Sequence, residues 1–120
     1  MKILLVDDDA FLRDMYATKF SEFGHEIAVA ESGEQALTEL QKTQFNVVVL
    51  DMIMPGMNGI ELLKEIRARK LDTNLICVVL SNQGGKEEID AAYEAGAKGY
   101  IIKAELIPSE VVREVIKIVS

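Results

Sequence analysis

Four apolar residues, Val47-Val48-Val49-Leu50, run without a break into Asp51, and Met52-Ile53-Met54-Pro55-Gly56-Met57-Asn58-Gly59 follows with the chemistry of a loop. A continuous apolar run of this length fits a strand buried on both faces, as in a parallel sheet covered by helices. Asp51 then stands at the carboxyl end of a central strand, the edge where open α/β sheets bind ligands. Alone, Asp51 fits the opening of a turn equally well. The rest of the chain decides between the two.

Residues 2–6 read as a second buried strand that ends on Asp7-Asp8-Asp9. Phe11, Leu12, Met15, Tyr16, Phe20 and Phe23 recur at helical spacing, and Gly24 is a natural stop. Asp9 is read as a helix cap or an outer-shell charge and not as a ligand. Residues 26–30 alternate as an edge strand would, with Ile27 and Val29 on one side. Ser32 with Gln35 forms a capping-box start for a helix to about Lys42, with Ala36, Leu37 and Leu40 inward. A third helix is expected from about Asn58 to Lys70, with Ile60, Leu63 and Ile66 inward. Residues 75–80 form another continuous apolar strand, and residues 81–85 a loop. A fourth helix runs from about Lys86 to Ala95 and is stopped by Gly96. A short strand, Gly99 to Ile102, leads to Lys103, and the last helix starts near Pro108, a favoured first-turn residue.

Strands and helices that alternate with short connections imply a parallel sheet with right-handed crossovers and helices on both faces. The expected fold class is α/β, five strands and five helices, with residues 1–120 as one domain and no output domain. The net charge of −7 argues against nucleic-acid binding and suits cations or basic partners. The single cysteine, Cys77, excludes an internal disulfide and lies in an apolar run as an inert core residue. No apolar stretch approaches the roughly 20 residues of a membrane span, and the start shows no signal-peptide pattern. A cytoplasmic location without membrane contact is expected.

Asp7, Asp8, Asp51, Ser81 and Lys103 lie at or just past the carboxyl ends of strands one, three, four and five. In a parallel sheet those ends share one edge, and in the strand order 2-1-3-4-5 the five groups meet over one crevice. Clustered carboxylates repel, and burial makes the repulsion worse. A hard cation such as Mg²⁺ resolves it, taking one or two carboxylates and keeping several waters. Acids around a cation, with a lysine and a hydroxyl beside them, suit phosphoryl transfer, which needs positioning and charge stabilisation more than covalent work. An aspartate can itself accept the group as an acyl phosphate. Asp51 is central, and Asp7-Asp8 supply the metal pair.

With Val6-Asp7-Asp8, Leu50-Asp51 through Gly59, Ser81, Ala95-Gly96-Ala97 and Gly99-Tyr100-Ile101-Ile102-Lys103, the chain resembles the receiver domains of bacterial two-component response regulators over its whole length. The resemblance implies a flavodoxin-like sheet of order 2-1-3-4-5. It implies a signalling switch in which Asp51 accepts a phosphoryl group from the phosphohistidine of a sensor histidine kinase or histidine phosphotransfer protein. It further implies Mg²⁺, with Mn²⁺ as a substitute, held by Asp8, Asp51 and the backbone carbonyl of Ile53, with Asp7 acting mainly through water. Lys103 would pair with the phosphoryl oxygens, Ser81 would hydrogen-bond the group, and Tyr100 would be the aromatic switch. The output face would be helix 4, strand 5 and helix 5, with Ile89 and Tyr93 on it, for a downstream partner or self-association. Such a protein phosphorylates and dephosphorylates itself but turns over no external metabolite.

Two positions depart from the family pattern. Ala104 stands where many members have proline after the lysine, often with a cis bond before it, so a trans Lys103-Ala104 bond is expected. Asn82 stands where a small residue usually follows the hydroxyl. Other readings fit less well. A phosphatase of the haloacid dehalogenase type needs an acid where Ile53 stands, and in a flavodoxin the loop after strand one is rich in Ser and Thr, whereas three acids there would repel the phosphate. His25 reads as a surface loop residue, and Met52, Met54 and Met57 as loop packing.

Overall fold

The apolar run is strand β3 (Val47–Leu50), and all four of its residues are buried. The computed structural model describes residues 1–120. β3 pairs in parallel with β1 (Lys2–Val6) on one side and β4 (Ile76–Ser81) on the other. β2 (Glu26–Ala30) and β5 (Gly99–Ile102) form the edges, giving the order β2-β1-β3-β4-β5. Five helices connect the strands: α1 (Ala10–Glu22), α2 (Gly33–Lys42), α3 (Gly59–Ala68), α4 (Lys86–Ala95) and α5 (Pro108–Val119). This is the parallel sheet with helices on both faces that the alternation of patterns predicts, in the flavodoxin-like strand order that the resemblance implies. No helix is long and apolar enough to cross a membrane.

Side chains alternate across a strand, and β3 divides accordingly. Val48 and Leu50 enter a core with Leu37 of α2, Leu62 and Ile66 of α3, and Ala92 of α4. Val47 and Val49 enter a second core with Tyr16 and Phe20 of α1 and Val111, Val112 and Val115 of α5. Each fully buried aliphatic side chain contributes about 1.5–3 kcal/mol, so the middle of the sheet is the rigid part of the molecule. Its carboxyl edge inherits that rigidity. Cys77 is buried in the first core, where burial, with Asp72 nearby, pushes its thiol up to about 12. It is therefore a packing residue and not a nucleophile.

The chain departs from the pattern reading in several places. Phe11 is 75% exposed. At 3.6 residues per turn it stands about 140° around α1 from Tyr16, on the solvent side. Phe23 is also exposed, with the Arg113 guanidinium 5.5 Å from its ring centroid. Val29 is exposed although Ile27 packs inward, because the edge strand β2 is covered over only part of its length. Gln35 reaches back to the amide of Glu31 and not to that of Ser32, so α2 is capped by Ser32 alone, at 3.1 Å to Gln35 N. α3 ends at Ala68, two residues short of Lys70. Lys70 turns left-handed at φ 57°, and the amide of Leu71 closes onto Ile66 O at 2.9 Å. That closure satisfies the last carbonyls of α3 and stops it.

Candidate functional site

The three strand ends β1, β3 and β5 carry the polar centre. Asp7 follows β1 directly and is 2% exposed. All four of its polar atoms are engaged. Its amide donates to Ala30 O at 3.2 Å, and its carbonyl accepts from Arg13 Nη1 at 2.9 Å. Its Oδ1 accepts from Asp9 N at 3.0 Å and its Oδ2 from Lys103 Nζ at 2.9 Å. Asp9 caps α1 through a bond from Leu12 N at 3.1 Å, as the sequence predicts. Asp8, between them, is exposed and free of such bonds.

Asp51 follows β3, and its amide donates to Val6 O at 3.1 Å. Its Oδ2 accepts from Lys103 Nζ at 2.9 Å, and its Oδ1 lies 3.3 Å from Ile53 N. Ile53 is 60% exposed at the rim. Gly59, the first residue of α3, presses on this loop: a Cβ there would stand 2.4 Å from Asp51 O and 2.8 Å from Met52 Cα. Only glycine permits that approach. Met52 and Met54 are buried in the core beneath, which accounts for them as packing.

Lys103 follows β5 and opens a short 3₁₀ turn, Lys103–Glu105. The chain has no cis peptide bond, so Lys103-Ala104 is trans, as Ala104 in place of proline predicts. The lysine is 8% exposed, and one ammonium bridges a carboxylate from β1 and a carboxylate from β3. Burial alone would lower its pKa, but the hydrogen bonds and charges of Asp7 and Asp51 more than offset that and raise it. Lys103 is therefore a fixed cation at neutral pH.

Asp7, Asp8 and Asp51 each offer an oxygen, and these oxygens lie within 4.8 Å of one another. The donors are all carboxylate, with no histidine or cysteine, which is the chemistry of a hard divalent cation. One acid is buried, one partly buried and one exposed, so solvent ligands can reach the centre. Three carboxylates against one ammonium leave room for further positive charge. The residues present fit Mg²⁺.

Ser81 is the last residue of β4, not the first of a loop, and is 1% exposed. Its Oγ accepts from Gln83 N at 3.2 Å, and its hydroxyl lies beside the Tyr100 phenol. Tyr100 lies on β5, packs against the α2–α3–α4 core, and donates its O–H to Gln83 O at 2.6 Å. Burial raises the pKa of this phenol. The carbonyl of Gln83 gives the hydroxyl a partner without any displacement of Ser81. On α4, Tyr93 is 47% exposed and Ile89 half-buried. Asn82 is exposed. His25 lies far along the chain from these strand ends, half-buried beside the terminal amine at 3.2 Å, with its pKa lowered by burial and then by that charge.

Two residues at the centre were not picked out by sequence reasoning. Arg13 sits on α1 with its guanidinium on the Asp7 carbonyl and its Nη2 3.6 Å from Glu31 Oε1. Its signal was present as a lone cation among Asp7, Asp8, Asp9 and Asp14. Tyr16 reads as a core residue and is buried, but it also feels the site. Burial raises its pKa, Lys103 opposes the rise, and Asp7 and Asp51 add to it.

Comparison with known proteins bears on the same strand ends. The family model of the response regulator receiver domain matches residues 3–115. The chemotaxis protein CheY of Thermotoga maritima is 36% identical over 118 residues, covering 98% of this chain and 96% of its own. The solved structure of chemotaxis protein CheY4 of Vibrio cholerae superposes with a TM-score of 0.91 at 27% identity, covering 98% of this chain and 97% of that one. Response regulator TrrA of Thermotoga maritima, solved in complex with Mg²⁺-BeF, gives a TM-score of 0.83 at 32% identity, covering 98% and 97%.

Proposed function

This chain belongs to the response regulator receiver domain family, and on that premise we propose that it is a phosphorylation-activated switch whose acceptor is Asp51. The observation that carries this reading is the single ammonium of Lys103 held 2.9 Å from both Asp7 and Asp51. It joins strand ends of β1, β3 and β5 into one centre. The donor is the phosphohistidine of a sensor histidine kinase or histidine phosphotransfer protein. A carboxylate oxygen of Asp51 attacks phosphorus, the O–P bond forms as the P–N bond breaks, and the departing imidazole keeps the electron pair and takes up a proton.

Asp8, Asp51 and the Ile53 carbonyl would hold Mg²⁺, with Asp7 acting through water, since both Asp7 oxygens already accept protein hydrogen bonds. Bound there, the ion supplies charge neutralisation for the oxygens of the transferring group. That TrrA was solved in complex with Mg²⁺-BeF supports this choice of ion. Lys103 then exchanges its Asp51 contact for a phosphoryl oxygen, and the O–H of Ser81 turns to donate to another. Gln83 N is on Ser81 and Gln83 O is on Tyr100, so a shift of Ser81 pulls on the loop that holds the ring. The readout is the face of α4, β5 and α5, where Tyr93 is exposed. A downstream protein or a second copy of the chain binds there. No external metabolite is consumed.

Intact-mass analysis after incubation with acetyl phosphate tests the assignment. One phosphoryl group should add in Mg²⁺, none in EDTA, and none on Asp51→Asn. A mass gain that survives the substitution or the chelator removes Asp51 or the metal from the mechanism.

A further inference from the structure

We propose that Arg13 is a positioning residue for the metal-binding acids: by clamping the backbone of Asp7 it decides which carboxylates face the ion. The inference rests on the reading that these acids hold Mg²⁺. Arg13 Nη1 donates to Asp7 O at 2.9 Å, with the guanidinium side chain 11% exposed. Asp7 is pinned in four directions, by Ala30, Arg13, Asp9 and Lys103. Three of these partners are fixed by sheet pairing, helix capping or the site lysine. Arg13 is the only one contributed by the body of α1. It ties that helix to the loop whose next residue, Asp8, is exposed and unbonded.

The placement of Arg13 is poor for stability alone. Its Nε is buried without a hydrogen-bond partner, the one such side-chain atom in the chain. A buried unpaired donor is destabilising, and a specific exception of this kind calls for an explanation. Its second contact, Glu31 at 3.6 Å, involves a carboxylate 70% exposed and contributes little. What the guanidinium does well is hold one carbonyl. With Asp7 held, its Oδ1 and Oδ2 stay committed to Asp9 and Lys103, and Asp8 and Asp51 are left to ligate. Without the clamp, Asp7 keeps three of its four ties but its carbonyl is released, and the peptide that leads into Asp8 is held less firmly.

Charge and positioning predict opposite signs. As a cation near the acids, Arg13 repels Mg²⁺, so a purely electrostatic role makes Arg13→Met bind the ion more tightly and Arg13→Lys bind it as wild type does. As a positioning residue, its loss weakens binding in both variants, because an ammonium lacks the guanidinium fork. Removing partners that orient ligating carboxylates costs 10–100-fold in affinity as a rule, and about tenfold is expected here.

Mg²⁺ affinity is measured by calorimetric titration of wild type, Arg13→Met and Arg13→Lys. Amide exchange at Asp9, which reads the Asp7 Oδ1 bond, is followed without metal, and thermal midpoints are recorded beside both. The expected result is Mg²⁺ affinity about tenfold weaker in both variants, with faster exchange at Asp9 in the absence of metal. Tighter binding by Arg13→Met, or unchanged affinity with only a lower midpoint, overturns the inference. If Arg13→Met fails to fold, Arg13→Lys alone decides: wild-type affinity and exchange in that variant overturn it. Absence of Mg²⁺ binding by wild type overturns the metal reading itself and this inference with it.

Discussion

Lys103→Met removes the one cation that two carboxylates share while keeping the length of the stem. The side chains of Lys103, Asp7 and Asp51 are 6%, 3% and 13% exposed, so water replaces the ammonium only in part, from the Asp51 side. Removing one partner of a buried ion pair costs about 3–5 kcal/mol, because the remaining charge is left uncompensated. Here two carboxylates are left facing each other. Against a total of about 5–15 kcal/mol for a domain, that is a large fraction, and it lowers the thermal midpoint by roughly 10 °C or more. Mg²⁺ should then narrow the gap. On the proposed ligand set, Lys103 competes with the ion for Asp51 in wild type, and in the variant no ammonium does. At 100 times its dissociation constant a ligand adds about 2.7 kcal/mol, so saturating Mg²⁺ should recover a substantial part of the loss.

Urea unfolding of both proteins, with EDTA and with Mg²⁺, gives the four free energies needed. A gap of the same size in both conditions, or a variant as stable as wild type in EDTA, refutes the reasoning. The alkaline limb is a further check on the same variant. Lys103 has its pKa raised above the ordinary lysine value of 10.5. A group whose folded pKa is the higher contributes fully below the unfolded value and loses its contribution as pH rises through the folded one. The difference between the two proteins should therefore be flat from neutral pH to about 10 and shrink only above it.

Two further substitutions test the supports of the site. Gly59→Ala places a methyl 2.4 Å from Asp51 O and 2.8 Å from Met52 Cα, both backbone atoms that cannot swing aside. It should cost about 1–3 kcal/mol in urea unfolding and slow acyl-phosphate formation by mass analysis; wild-type values in both assays would show that the loop gives way freely. Tyr100→Phe deletes the 2.6 Å bond to Gln83 O and should cost about 1 kcal/mol, with faster amide exchange confined to residues 82–85. Unchanged exchange there would mean that the hydroxyl does not hold the loop.

What was legible in the sequence is what depends on period and position. Continuous apolar runs announce β1, β3 and β4 because both faces are buried, and chemistry at their carboxyl ends follows from parallel topology. Element ends were less legible where they turn on backbone geometry. Lys70 adopts a left-handed conformation normally left to glycine, so no residue type marked the stop of α3. Phe11 shows the limit of composition: an aromatic at the start of an amphipathic helix reads as core until its angle around the helix is counted. Arg13 was missed for a different reason. Its partner is a main-chain carbonyl, and backbone acceptors leave no trace in the order of side chains.

The two halves of the proposed switch share one short loop, and this restricts how a signal can pass. Ser81 ends β4 as a paired strand residue, so its backbone is not free to travel far. Gln83, two residues on, holds Ser81 Oγ with its amide and Tyr100 with its carbonyl. Gly84 lies against Ile102 so closely that a Cβ would stand 2.5 Å from its Cδ1. The loop is therefore hydrogen-bonded to β5 at Tyr100 and lies close against Ile102. A ligand shifts an equilibrium only by its differential contacts with the two states. A group on Asp51 makes such contacts only through Ser81 and Lys103. On the proposed mechanism, a phosphoryl group on Asp51 would act through Ser81 and Lys103 on a loop that Gln83 already ties to Tyr100.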